Sequence, residues 1–226
     1  MGSFSDFARH MDWAGLVSLL LTVAAVLLCL TVHETCHGLA AYALGDPTAK
    51  RQHRLSLNPL RHLDLVGTLM MLVAGFGWAR PVPVDMRYFK HPKSGMALTA
   101  LAGPISNLAL AYLALVVRAL LLGVYYRSGL TVLLGVVNFC GTVDVLSIGL
   151  GIFNLIPFPP LDCSKVLAVF LPDRAYYTLM RYEFWGTILL MLLLWSGLLD
   201  APLSAARNWV LDLLLQGAAW PYFLLT

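Results

Sequence analysis

Eighteen consecutive residues from Gly15 to Val32 carry no charge, and they run without a break into His33-Glu34-Thr35-Cys36-His37-Gly38. As a helix the uncharged run is about 27 Å long, close to the ~30 Å hydrocarbon layer of a bilayer. The apolar pattern continues to Leu44, where Gly45-Asp46-Pro47 stops it. Within a membrane the backbone must satisfy its own hydrogen bonds, so this run is read as a spanning helix whose neighbours are also helices. The remainder of the chain agrees, with 59% hydrophobic and 12% charged residues where a soluble domain has roughly a quarter charged. The expected fold is an all-α polytopic membrane protein with about five transmembrane helices, between about four and six.

The basic residues divide the chain. Lys50, Arg51, Arg54 and Arg61 precede the short apolar piece Leu65 to Gly77, and Arg80, Arg87, Lys90 and Lys93 follow it. Thirteen residues make only about 20 Å of helix, and two basic flanks argue for one side of the membrane. The segment at about 48–90 is therefore expected to be re-entrant or hairpin-like, with strand character in Pro81-Val82-Pro83-Val84. Gly95 to Val124 and Leu130 to Ile156 are long enough to span, with a tight turn at Tyr126 to Gly129 between them. Phe184 to Leu199 is a further expected span, and Ser204 to Leu225 is spanning or amphipathic. Residues 1–226 are expected to form one membrane-embedded domain, with a core at about 15–172 and C-terminal helices at about 184–226.

If the loops at 45–64, 78–95 and 158–183 face the cytosol, they hold 11 of the 15 Lys and Arg, as the positive-inside preference requires. That orientation makes the chain a multi-pass cell-membrane protein with its polar motifs toward the cytosol. The first span is read as retained rather than cleaved, because Asp6, Arg9, His10 and Asp12 precede it and no small-residue cleavage signature follows. The net charge of +3 is explained by orientation and lipid contact, and nucleic acid is excluded as a partner. Cys29, Cys36, Cys140 and Cys163 lie in or beside apolar segments and are read as buried thiols, not a disulfide framework.

On a helix, His33 and His37 lie one turn apart on one face, with Glu34 about 100° away on the same rim. That is the geometry for two neutral imidazoles on one Zn²⁺ and a carboxylate beside it. With six His and two Glu in the chain, such spacing arises by chance on the order of one time in a thousand. Three polar groups on one arc within a membrane are costly and point to function. A catalytic zinc needs a third protein ligand at the same depth. Asp162 fits, because it follows Asn154-Leu155-Ile156-Pro157-Phe158-Pro159-Pro160-Leu161, a run whose prolines unwind the end of another span. Asp162 also suits the N-cap of a following helix, and the two roles are compatible. Arg118 is the candidate partner of Asp144, and Asn107 suits either a helix-bridging or a substrate contact. His53, His62 and His91 are expected in solvated loops.

These residues resemble the site-2 proteases, zinc intramembrane metalloproteases. The resemblance rests on H-E-x-x-H-G at His33 to Gly38, G-P-x-x-N at Gly103, Pro104 and Asn107, and N-x-x-P-x-P-P-L-D at Asn154 to Asp162. The loop Gly77-Trp78-Ala79-Arg80-Pro81-Val82-Pro83-Val84 is similar to that of the short, stand-alone prokaryotic members. The resemblance implies one zinc per chain held by His33, His37 and Asp162, with Glu34 as general base and Asn154 as a polar group near the scissile peptide. It further implies a transmembrane protein substrate, cut near the cytosolic face. Pro81, Val82, Pro83 and Val84 would offer an edge to an extended substrate, a reading that joins strand-addition physics to family analogy. Cys36 and Cys163 depart from the residues commoner at those family positions. Two other classes stay open: a membrane quality-control metalloprotease, and a catalytically silent zinc-binding scaffold.

Overall fold

The computed structural model describes residues 12–74, 79–172, 174, 175, 178 and 181–225. Asp6, Arg9, His10, Gly77 and Trp78, singled out from the sequence, lie outside the described residues.

Helix α1 spans Trp13–Ala43, and its first turn is closed by Asp12, whose side chain accepts from the Gly15 amide at 2.9 Å. It ends where the sequence changes character. Gly45 takes a positive φ of 105°, which suits a residue without Cβ, and Asp46 turns inward and is fully buried. The Asp46 carboxylate accepts from the Thr48 amide at 2.9 Å and from the Asp85 amide at 2.7 Å. One buried carboxylate thus ties the end of α1 to two stretches of the loop that follows.

That loop carries α2 (Thr48–Arg51), a 3₁₀ turn at Pro59–Arg61, α3 (Leu65–Ala74) and a second 3₁₀ turn at Met86–Tyr88. Ten residues of α3 make only about 15 Å, so the segment does not span. No strand forms among the described residues. The only β pairing there is an isolated antiparallel bridge between Leu63 and Ala79, so the expected strand at Pro81–Val84 is replaced by irregular backbone. Pro81 and Pro83 have no N–H to give to a ladder, which explains the difference.

Helix α4 (Pro92–Ser128) begins with proline in its first turn and ends at Gly129, which adopts the left-handed conformation (φ 67°) and returns its amide to the Tyr125 carbonyl. The helix therefore runs through Tyr126 and Arg127, where a turn is expected from the sequence, because Gly129 is the first residue able to reverse it cheaply. Helix α5 (Leu133–Asn154) follows, then the proline-rich turn, then α6 (Asp162–Leu167). Helix α4 is the hub, packing on α1, α5 and α6. Its buried face is built from Ala97, Ala100, Gly103, Ala111 and Ala114, small residues that let helix backbones approach closely in lipid. Ala25 and Cys29 of α1, Ala114 of α4 and Val143 of α5 meet in one core cluster.

The remainder comprises α7 (Glu183–Trp195), α8 (Asp200–Ala218) and α9 (Trp220–Leu225). Helices α1, α4 and α5 are each long and apolar enough to cross a membrane, and α7 with α8–α9 adds a fourth crossing if the bent pair is one span. Four crossings is the lower end of the four to six expected, and the chain bends by 85° at a short break between α7 and α8. Gly197, at φ 71°, lies in that break. The protein is an all-α polytopic membrane protein.

Candidate metal centre

Nine-tenths of the His33, His37 and Asp162 surface is covered, and their ligand atoms converge. Nε2 of His33 lies 3.0 Å from Nε2 of His37, and Oδ2 of Asp162 lies 3.0 Å from the first and 3.1 Å from the second. The three atoms form a nearly equilateral triangle. The two histidines come from adjacent turns of α1. Asp162 arrives because the turn Leu155–Leu161 brings the start of α6 back against α1 and α4.

The donor chemistry tests whether a metal fits. His37 Nδ1 is 2.7 Å from the Thr99 carbonyl on α4, and a carbonyl only accepts, so Nδ1 carries the proton. The Nε2 of neutral His37 is then a lone pair, and it faces a carboxylate oxygen and another imidazole nitrogen. A single proton on His33 Nε2 satisfies at most one edge of this triangle. Three converging lone pairs are stable only around a cation, and ligand atoms of a tetrahedral zinc with bonds of ~2.0–2.1 Å lie roughly 3.3 Å apart. Among the described residues this is the one group of three or more His, Cys, Asp or Glu side chains close enough to hold a metal ion. The residues fit zinc.

Burial pushes the Asp162 carboxyl upward, but the two imidazoles against it, His33 and His37, outweigh that and hold it well below the usual carboxylate range. The other Asp162 oxygen lies 3.8 Å from Nζ of Lys165. Asp162 is the first residue of α6, so its carboxylate turns toward the imidazoles at the head of a helix. Cys163, next to it, is a free thiol whose acidity is lowered by burial and then by the Asp162 charge.

A cavity of about 230 Å³ adjoins the cluster, and Glu34, His37, Asp162, Pro81, Val82 and Val84 are among the residues lining it. Oε2 of Glu34 accepts from the Val82 amide at 2.9 Å. The structure thus brings together most of the residues singled out from the sequence. Pro83 does not line the cavity. Asn107 is fully buried, with its carbonyl accepting from Ser147 Oγ at 2.8 Å, so it bridges α4 to α5, and its side-chain amide has no hydrogen-bond partner among the described residues. Asn154 is the last residue of α5, where its Nδ2 donates to the Leu150 carbonyl at 3.0 Å.

Several supporting residues escape a sequence reading. Thr99 acts through its carbonyl, which no side-chain pattern reveals. Gly103 backs onto both imidazoles, since a Cβ there would lie 2.7 Å from His33 Cε1; the G-P-x-x-N motif marks it without giving the reason. Arg54 is buried, and Nη2 donates to the Arg80 carbonyl at 2.6 Å. Burial and the Arg80 charge lower its pKa, against the opposing pull of Glu34. His62, expected in solvent, is instead buried, with Nε2 against the Ser56 carbonyl at 2.7 Å. Ser56 also accepts from Thr35 Oγ1 at 3.0 Å, so His62 fastens the loop to α1.

The chain is 38% identical over 199 residues to YwhC of Bacillus subtilis (strain 168), which bears a zinc metalloprotease name, covering 84% of this chain and 89% of that one. It is 26% identical to two further proteins carrying that kind of name, Rip2 of Mycolicibacterium smegmatis and Rip2 of Mycobacterium tuberculosis, each over 92% of this chain and 78% of the relative. No family model matches the chain. No solved structure matches it. The identity to YwhC over most of both chains, together with the His33–His37–Asp162 cluster, shows that the chain belongs to the zinc metalloprotease family that includes YwhC.

Proposed function

We propose that the chain is an intramembrane zinc endopeptidase of the site-2 protease type, hydrolysing peptide bonds in or near transmembrane segments of membrane-protein substrates. The observation that carries this reading is the meeting of Glu34 with His37 and Asp162 of the three-residue cluster around one cavity, with Glu34 and both histidines lying within a helix of spanning length. The basic loops beside these elements favour a site near the cytosolic face of a cell membrane.

His33, His37 and Asp162 would hold the zinc. Bound there, the metal supplies Lewis acidity, polarising a peptide carbonyl and bringing the pKa of water at the site to about 7. Thr99 fixes the tautomer of His37 so that Nε2 faces the centre. Glu34 serves as general base, taking a proton from water and delivering it to the departing amine. Buried walls on α1 and α4 keep bulk water from the ligands and strengthen the electrostatic interactions.

A transmembrane substrate hides its amides in helical hydrogen bonds, so it must unwind locally to reach this cavity. Val84, at the cavity wall, offers an edge for the unwound segment. Asn154 stands as an oxyanion donor only if its amide leaves the Leu150 carbonyl. The test is cleavage of a single-pass substrate by the reconstituted full chain, with the cut mapped by mass spectrometry. A cut within the transmembrane segment or at its cytosolic edge supports the proposal. Cleavage confined to exposed, unfolded regions would favour quality control, and zinc binding without cleavage would favour a silent scaffold.

A further inference from the structure

The peptide group between Pro81 and Val82 is gripped at both ends. Its N–H donates to Oε2 of Glu34 at 2.9 Å. Its carbonyl lies 3.4 Å from Nη2 of Arg54, the same nitrogen that binds the preceding carbonyl, that of Arg80, at 2.6 Å. Arg54 is 7% exposed and is anchored to the end of α1 through α2, its own amide donating to the Ala49 carbonyl at 2.8 Å. A buried guanidinium needs carbonyl or carboxylate partners for its donors. Here Nη2 is spent on the backbone that reaches Glu34, while the buried Nε has no hydrogen-bond partner among the described residues.

The sequence around this peptide leaves it little freedom. Pro81 and Pro83 have fixed φ and no N–H, so Val82 holds the only backbone donor in residues 81–83. The Val82 side chain is buried beside α1, where a Cβ on Gly38 would meet its Cγ1 at 3.2 Å. Glu34 itself sits mid-helix and is offered no free amide by its own turn. A charge-assisted bond from Val82 is stronger than a neutral one, and the Arg54 charge on the far side of the same amide polarises it further.

We propose that the Pro81–Val82 peptide, clamped by Arg54, is a positioning element for Glu34, holding one carboxylate oxygen so that the other is presented to the cavity. The Val82 amide is then occupied and is not part of any edge that pairs with substrate; an extended substrate would have to use Val84. This rests on the general-base role of Glu34 proposed above.

Two measurements on the full-length, zinc-loaded protein test it. The first is hydrogen exchange of a peptic fragment covering residues 81–84, in which only Val82 and Val84 carry amides. Replacing Glu34 by Ala should speed exchange at one amide, and unchanged exchange would overturn the proposal. The second is kinetics on a model transmembrane substrate. Val82→Pro should lower kcat roughly tenfold or more below Val82→Ala, with KM changed far less. Arg54→Ala should lower kcat in the same way, with partial rescue in Arg54→Lys and zinc content retained. Val84→Pro should raise KM and spare kcat by comparison. If Glu34→Gln is inactive while Val82→Pro and Arg54→Ala keep the kcat of Val82→Ala, the positioning role fails and the proposed reaction stands. If Glu34→Gln cleaves as wild type does, the reaction itself fails.

Discussion

Gly103 on α4 and His37 on α1 are packed so closely that a Cβ at position 103 would enter the space of the His37 ring and lie 2.7 Å from Cε1 of His33. One missing methyl group therefore lets α4 press Thr99 against His37 while its own backbone walls the metal centre.

Gly103→Ala should displace the imidazoles and weaken zinc binding about tenfold or more. Overpacking of this kind costs about 1–3 kcal/mol, and here the strain falls on two ligands at once. Gly135→Ala, where a Cβ meets nothing within 4 Å, should keep its zinc. Competition with a chelator for zinc, followed by metal analysis, compares the two.

Removal of the metal should also loosen the fold. A ligand held at a hundred times its Kd stabilises the native state by about 2.7 kcal/mol, and this ligand links α1 to α6. Chelation should lower the melting temperature of the detergent-solubilised protein, and added zinc should restore it. In Asp162→Asn, which removes the only carboxylate in the cluster, chelator and zinc should both have little effect on melting.

Arg118 on α4 reaches the fully buried Asp144 on α5, with Nη1 donating to Oδ2 at 3.2 Å. Fifteen residues separate Arg118 from Gly103, about 22 Å along a helix, so this pair is structural and remote from the metal. Arg118→Met should destabilise the protein by about 3–5 kcal/mol by stranding the fully buried Asp144 carboxylate, while Arg118→Met combined with Asp144→Leu should recover most of the loss. Unfolding measurements on the two variants check this, and both should keep their zinc.

The parts of the site that depend on spacing along a helix were legible in the sequence. His33 and His37 share a face because the helical period puts them there, and Asp162 was found because three prolines mark where backbone unwinds. Arg118 and Asp144 were paired correctly because charges within apolar helices seek each other. The loop between α1 and α4 was harder to read. Its order comes from Asp46, His62 and Arg54, which bind backbone groups distant in sequence, and no periodicity reports such contacts. Pro81–Val84 looked like a strand because valines alternate with prolines, yet the Val82 amide is committed to Glu34 and the prolines have none to give. The path of the C-terminal helices was hard to read for a similar reason: the composition of α7 and α8 suits two spans, but the chain bends by 85° at the short break between them.

The most direct test of the whole account is one comparison, made on wild type and Glu34→Gln with zinc content and cleavage of a transmembrane substrate read from the same preparations. The account predicts one zinc per chain in both proteins, cleavage by the wild type, and loss of cleavage in the variant by a factor of about a hundred or more. Wild-type protein that takes up no zinc, or a Glu34→Gln variant that cleaves as fast as wild type, would contradict it.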